Sequence, residues 1–350
     1  MIEGAPPVVL HPAREEDKEK LFELVLSIRS GIPSLPKDLE ALGNRIEKSL
    51  KSFNRDVHKP GKENYLFVLE NVETGKLVGC SGLKALINGE APYYSYEIKR
   101  EKNSHDPLGI NVENDALHLT TIENVTELVS LFLNRDNRYA NHGKLLSFSR
   151  FLFMSAFQER FCKKVASDLR GYLDKEGASP FWESYGKKLI LEHIDIKDIF
   201  EGRYNQHVIQ DLMPKNPIYI SLLTDEARAC LGKTHTNTEP ALHLLKEQGF
   251  RKTNFINVYD AGPFVTCELK NIKTVQQHKE GIVGKIIDAD ERQEPYIICN
   301  RNLNFKSTLG YLEEYAGAEI GLPKNVALLL NVAVGDPISY VNITPQNESH

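Results

Sequence analysis

Apolar residues recur along this chain at two different periods. Leu39, Leu42, Ile46 and Leu50 fall at helical spacing and predict a helix over Lys37–Phe53. Leu66–Leu69 and Leu77–Cys80 are short apolar runs on either side of Thr74-Gly75, the pattern of a β-hairpin. Upstream, Val8-Val9-Leu10 opens a strand that gives way to a charged helix reaching about Ser30. The stretch Ser30–Pro36 holds two prolines and a glycine, which break regular structure. Downstream, residues 92–101 read as a strand, Asn103–Asn114 as a long polar loop, and residues 117–122 as another strand.

The segment Glu127–Phe153 carries the most information. Leu128, Val129, Leu131, Phe132 and Leu133 suit a strand buried on both faces. A polar turn, Asn134–Gly143, follows and leads into a helix predicted from Lys144 to Phe161. A turn feeding a helix N-terminus presents unpaired N–H groups and the positive end of a dipole. Arg135, Arg138 and Lys144 add full charges, which makes a site for a phosphate or pyrophosphate. Residues 163–172 follow as a short strand, and Ser179 can cap a helix that begins at Pro180. The region from Ile196 to Gly249 is less ordered in pattern and ends in a loop and helix closed by Gly249. From Ile272 the tail turns strand-like and turn-rich, which predicts a small β-barrel or sandwich over 272–350 with its own core.

Composition narrows the class. The chain has 350 residues, 41% hydrophobic and 26% charged, as in ordinary globular proteins. A net charge of −5 argues against nucleic acid as the main partner. No window has the apolar length of a membrane span, and the first residues lack a basic-then-apolar signal, so the expected location is the cytoplasm. The five cysteines are scattered and form no Cys-x-x-Cys pair, the usage of reduced thiols. No His/Cys/Asp cluster has ligand spacing, so no metal is expected.

The run Arg138-Tyr-Ala-Asn141-His142-Gly143 resembles the Arg-x-x-Gly-x-Gly loop with which GNAT-type N-acyltransferases hold the pyrophosphate of coenzyme A. Asn141 replaces one glycine, and asparagine tolerates positive φ. Longer blocks make the resemblance specific. SGIPSLP, ELVSLFLN, LLSFSRFLFMSAFQERF, SPFWESYG, DLMPKNPIY and GKTHTNTEPALHLLKEQGF with DAGP resemble the arginine N-succinyltransferase family, up to about Cys267.

The resemblance implies an α/β (α+β) fold with a GNAT-like mixed central sheet flanked by helices. It implies an acyl-CoA transferase region over 1–271, with a core over 1–195 and the active-site histidine within 196–271. That histidine is His235 and the succinyl-CoA contact is Leu131, with Arg138, Asn141 and Gly143 completing the coenzyme site. The implied reaction moves succinyl from succinyl-CoA, a co-substrate and not a resident cofactor, to the α-amine of L-arginine. Homodimers or paired related subunits are expected. For the acceptor, Asp168, Glu127 and Asp211 are candidates to meet a guanidinium, and Arg170 and Arg203 an α-carboxylate. Asp168 stands where the family has Glu, and Asn216 where it has His, so ornithine or another amine stays open as acceptor. A non-catalytic subunit of a paired transferase is the reading from a different class.

Overall fold

The computed structural model of the chain describes residues 6–28, 32, 34–105, 110–139, 141–189, 196–200, 212–288 and 295–344. Sixteen strands are named in chain order. They are β1 (Val8–Pro12), β2 (Asn64–Asn71), β3 (Lys76–Lys84), β4 (Tyr94–His105), β5 (Ile110–Thr121), β6 (Val125–Leu133), β7 (Lys164–Asp168) and β8 (Ile218–Tyr219). Then follow β9 (Arg251–Ile256), β10 (Pro263–Glu268), β11 (Lys279–Ile287), β12 (Tyr296–Asn300), β13 (Ser307–Gly310), β14 (Glu313–Glu314), β15 (Glu319–Pro323) and β16 (Pro337–Asn342). All belong to one mixed sheet, ordered β14-β15-β11-β16-β12-β13-β1-β2-β3-β6-β7-β10-β9-β4-β5-β8. Two of its pairs are parallel, β6 with β7 and β11 with β15.

The period-2 pattern of β2 explains the layers. Leu66 and Val68 face one side, where they pack with Leu21, Leu24, Leu42 and Ile46 of helices α1 (Lys18–Leu26) and α2 (Leu39–Asn54). Tyr65, Phe67 and Leu69 face the other side and pack on helix α3 (His142–Ala156). Both faces are therefore dry. Asp38 starts α2 by accepting the Ala41 N–H at 2.7 Å. Ser49 Oγ and Ser52 Oγ accept the N–H groups of Leu66 and Asn64, which ties α2 to the edge of β2.

Helix α3 is buried along almost its whole length. Its Phe153 ring lies 5.0–5.8 Å from Phe67, Tyr65, Phe53, Phe157, Phe161 and Phe305. The helix stops at Ala156, short of the predicted Phe161. Phe157 leaves helical dihedrals (φ −133°, ψ 54°) and turns its ring onto Phe153.

Two expectations change. The polar stretch Asn103–Asn114 is not a long loop. β4 and β5 pair without a break from Tyr94↔Thr121 to His105↔Ile110. Arg100 and Lys102 meet Asp115 and Glu113 across the strands, so this ribbon is polar because it is solvated. The C-terminal strands also do not close into a barrel among the described residues. β13 pairs with β1 (Val9↔Thr308, Leu10↔Ser307), which makes the tail an open continuation of the main sheet. Ile298, Ile338 and Tyr340 face a small core of their own with Val326 and Leu330. The alternate residues Ile297, Cys299 and Val341 belong to the α3 core. No helix among the described residues is long and apolar enough to cross a membrane.

Phe153 thus joins the two ends of the chain through one ring. Phe153→Ala should cost about 3–5 kcal/mol, the range for a buried aromatic truncation. Urea unfolding followed by tryptophan fluorescence checks this, and a loss below about 1 kcal/mol would contradict the placement.

Candidate active site

The parallel ladder between β6 and β7 lasts for three residue pairs, Val125↔Lys164, Thr126↔Val165 and Glu127↔Ala166. Past Glu127 the two strands are no longer paired with each other. On its other side β6 runs along β3 with a register shift between Cys80↔Phe132 and Gly82↔Val129. Ser130 sits in that shift with φ +58°, a β-bulge that re-aims the strand. The gap opens into a cleft of roughly 880 Å³ lined by Leu128, Val129, Leu131, Asp168 and Arg170, among others. Leu131 is half-buried and packs against the α3 core.

The predicted phosphate turn closes one end of the cleft. Residues Arg135–Asn137 form a single 3₁₀ turn capped by Asn134, and Arg138 follows it, exposed at the cleft wall. Asn141 takes the left-handed conformation (φ 71°) as the N-cap of α3, as the glycine replacement requires. It makes no side-chain cap bond, so the first turn of α3 is left for another acceptor. His142 is buried beneath the turn, where its Nδ1–H donates to the Asn137 carbonyl at 3.1 Å. Gly143 behaves differently from a close-approach glycine. A Cβ there would meet only Leu244 Cδ1 at 3.9 Å, an ordinary contact.

His235 lies at the cleft rim, half-buried. Its own side chain does not line the cleft, but Asn237 and Thr238 beside it do. Its N–H donates to the Arg170 carbonyl at 2.9 Å, and Thr234 bridges to Gly171, so this loop is tied to the exit of β7. Arg135 Nη2 donates to Asn237 Oδ1 at 3.3 Å, which ties the same loop to the phosphate turn. Burial, then the Arg170 charge, lowers the imidazole pKa and favours the neutral ring. Nδ1 accepts the Asn237 N–H at 3.1 Å, so the neutral ring carries its proton on Nε2. His235 therefore offers a hydrogen-bond donor, Nε2–H, and not a free ring nitrogen that could accept a proton.

The carboxylates lie opposite. Asp168 ends β7. Its Oδ2 accepts from the Tyr93 hydroxyl and from Asn257 Nδ2 (2.6 Å). Its Oδ1 is shielded from solvent and has no hydrogen-bond partner among the described residues. Burial first, with the nearby charges of Asp260 and Glu127, pushes the Asp168 carboxyl up to about 7 against those two hydrogen bonds. Burial also raises Asp260. Glu127 Oε2 lies 2.9 Å from Lys84 Nζ. Two glycines set this corner. A Cβ at Gly171 would sit 2.1 Å from the Asp260 carbonyl, and one at Gly262 would sit 2.0 Å from the Leu169 carbonyl. The chain after β7 and the loop before β10 cross in backbone contact, which holds Asp260 beside Arg170.

A family model for "Arginine N-succinyltransferase beta subunit" matches residues 8–274, most of the chain and all the elements that line the cleft. The chain belongs to the arginine N-succinyltransferase family. Among its relatives is the Pseudomonas aeruginosa protein named arginine N-succinyltransferase subunit beta, 35% identical over 84% of this chain and 86% of that one. An arginine N-succinyltransferase of Citrobacter koseri is 34% identical over 78% and 79%. A solved arginine/ornithine succinyltransferase subunit AI of Pseudomonas aeruginosa superposes with a TM-score of 0.87 and 27% identity, over 97% of this chain and 100% of that chain. The mixed sheet flanked by helices, expected from the sequence, is the fold of this succinyltransferase-family chain.

Of the residues singled out in the sequence, Glu127, Leu131, Arg135, Arg138, Asp168 and Arg170 line one cleft. Asn141 and Gly143 stand at the end closed by the Arg135–Arg138 turn, and His235 at its rim. Asp211 and Arg203 lie outside the described residues. Sequence reasoning missed Tyr93, Asn257 and Asp260. Asp260 opens the DAGP block, but the block carried no role for it. Among the described residues no group of three or more His, Cys, Asp or Glu could hold a metal ion.

The raised Asp168 carboxyl has a consequence for stability. The unfolded chain loses this proton near the ordinary carboxylate pKa of about 3.9. The folded chain keeps it to about 7. Across that window the native state binds more protons, so this group's contribution to stability falls as pH rises. Asp168→Asn keeps an acceptor for Tyr93 and Asn257 and removes the charge. Its Tm relative to the natural protein should therefore rise by a few degrees between pH 5 and pH 8. Parallel Tm curves in calorimetry would contradict the burial of this carboxyl.

Proposed function

We propose that this chain transfers the succinyl group of succinyl-CoA to the α-amine of L-arginine, a step in arginine catabolism. The observation that carries this reading is the gap between β6 and β7. It has a cationic helix-start turn at one end and a buried carboxyl with a free oxygen at the other. The pantetheine arm lies along β6 from Leu128 to Leu133, where backbone groups released from the β7 ladder meet its amides. Arg138 and the first turn of α3 hold the pyrophosphate. The N–H groups beside the Ser130 bulge stabilise the oxyanion.

Asp168 takes the proton. A carboxyl held near 7 is a poor permanent counter-ion for a guanidinium, because it is about half protonated at neutral pH. It is a good acceptor for a proton from the substrate ammonium. Asp168 therefore serves the α-amine and not the guanidinium, and Arg170 serves the α-carboxylate. The freed amine forms the C–N bond, the C–S bond breaks, and coenzyme A leaves as thiolate. The nitrogen's second proton passes to the sulfur or to solvent. His235 donates from Nε2 toward the sulfur as it gains charge. Residues 1–271 carry this chemistry and 272–350 form the attached β-rich unit.

The printed name of the solved Pseudomonas aeruginosa subunit includes ornithine, which supports that amine as a second acceptor. The subunit names of the relatives support assembly with a second copy or a related chain. Five buried cysteines, none in a disulfide, fit a cytoplasmic setting.

Steady-state kinetics with succinyl-CoA and L-arginine test the assignments. kcat/KM should rise with pH through about 7 as Asp168 ionises. Asp168→Asn should lower kcat by about 10²–10⁴-fold and remove that acidic limb. A retained limb would take the proton away from Asp168. Absence of transfer by the pure natural chain would favour the non-catalytic subunit.

His235 is tested by two variants side by side. His235→Ala should lower kcat by about 10–10²-fold. His235→Gln keeps an N–H donor near the position of Nε2 and should recover most of the loss. Equal losses in the two would restore the histidine as proton acceptor.

A further inference from the structure

The cleft extends past the bulge to a second polar group, built on α2. Arg45 reaches from that helix across β3. Its Nη1 donates to Asn64 Oδ1 and its Nη2 to Ser130 Oγ, both at 3.0 Å. Gly82 makes the room. A Cβ there would sit 3.3 Å from Arg45 Nη2 and 2.9 Å from the Tyr65 carbonyl. Arg45 Nε is shielded from solvent and has no acceptor among the described residues. Ser130 Oγ, having accepted from Arg45, donates to Ser34 Oγ at 2.9 Å, which leaves the Ser34 proton unused. Arg45, Ser34 and Ser130 all line the cleft.

The charges around this group do not balance. Lys48 pairs with Glu90, and Lys84 with Glu127. Arg45 forms no ion pair among the described residues, although burial pushes its guanidinium down to about 10. The nearby Glu127 carboxylate acts on this half-buried guanidinium but is itself paired with Lys84, and the direct partners of Arg45 are an amide oxygen and a hydroxyl, which is costly unless a further anion arrives. Of the other enclosed guanidinium groups on the cleft, Arg150 of α3 is turned back onto Ser147 of its own helix, and Arg170 has the Asp260 carboxylate beside it.

We propose that Arg45, with the hydroxyls of Ser34 and Ser130, selects the acyl group by holding the distal carboxylate of a dicarboxylic acyl-CoA. This rests on the acyl-CoA reading above. A thioester laid along β6 brings its carbonyl to the bulge. A four-carbon diacid then carries its second carboxylate onward, toward the Arg45 fork. The carboxylate supplies the missing anion, an acceptor for Nε–H and an acceptor for the Ser34 hydroxyl. A neutral acyl chain of similar length leaves all three unanswered, so the pocket discriminates by charge and not by size.

The test compares kcat/KM for succinyl-CoA and butyryl-CoA with L-arginine as acceptor, alongside calorimetric binding of free coenzyme A. The natural chain should prefer succinyl-CoA by about 10²-fold or more. Arg45→Gln should lower the succinyl-CoA value by about 10²-fold, leave butyryl-CoA within about threefold, and keep coenzyme A binding. Arg45→Lys should recover part of the preference. Equal losses on both thioesters, or an intact succinyl preference in Arg45→Gln, would overturn the assignment while leaving the transferase reading standing. A natural chain that binds no coenzyme A would overturn the transferase reading and this assignment with it. If Arg45→Gln does not fold, Ser34→Ala decides. It should lose about tenfold on succinyl-CoA alone, and a loss shared by butyryl-CoA would overturn the proposal.

Discussion

Everything at the site depends on where β6 and β7 part. A parallel ladder would satisfy every backbone group on that side of β6. Here it ends at Glu127, and the bulge at Ser130 turns the strand away. Backbone polar groups near the middle of a sheet are thereby freed from the β6–β7 ladder without exposing a sheet edge to other proteins. The cost is met on the far side, where Ser49 and Ser52 pin α2 to β2 and the aromatic cluster around Phe153 fixes α3. The gap is rigid because both faces of the sheet beside it are packed.

The second organising feature is electrostatic segregation inside one cavity. Burial raises the acids Asp168 and Asp260 and lowers the bases Arg45 and Arg150. Each group stands in surroundings that disfavour its own charge. A dry core would have exchanged such groups for apolar ones. Their presence along one continuous cleft suits ligands of both signs, an anionic thioester and a cationic amine, each complementing the wall it meets.

The elements were legible where a period repeated. Leu42, Ile46 and Leu50 gave α2, though Leu39 at its start stays exposed, and the run through Leu133 gave β6, because both bury their apolar faces on neighbours. The Asn103–Asn114 ribbon was not legible, since a solvated two-stranded ladder carries the composition of a loop. The open tail was missed because strand order is set by partners that lie hundreds of residues away. Within the site, Arg138 and Asn141 were visible through their turn, and Asp168 and His235 through the family blocks. Arg45 was not. An arginine on an amphipathic helix reads as solvated, and only the approach of Asn64 and Ser130 shows that it is enclosed. The tautomer of His235 is also a property of one backbone N–H, which no sequence pattern encodes.

The pairing of β1 with β13 sets an order in time. During synthesis β1 can find β2 early, but its other edge waits for Ser307 and Thr308. At about 5–20 residues per second the interval between them is on the order of tens of seconds. Throughout that interval the nascent chain carries an open strand edge beside a half-built aromatic core. The transferase region is thus the part made first and the part completed last. The C-terminal strands, remote from the cleft, act as the cover that ends its exposure.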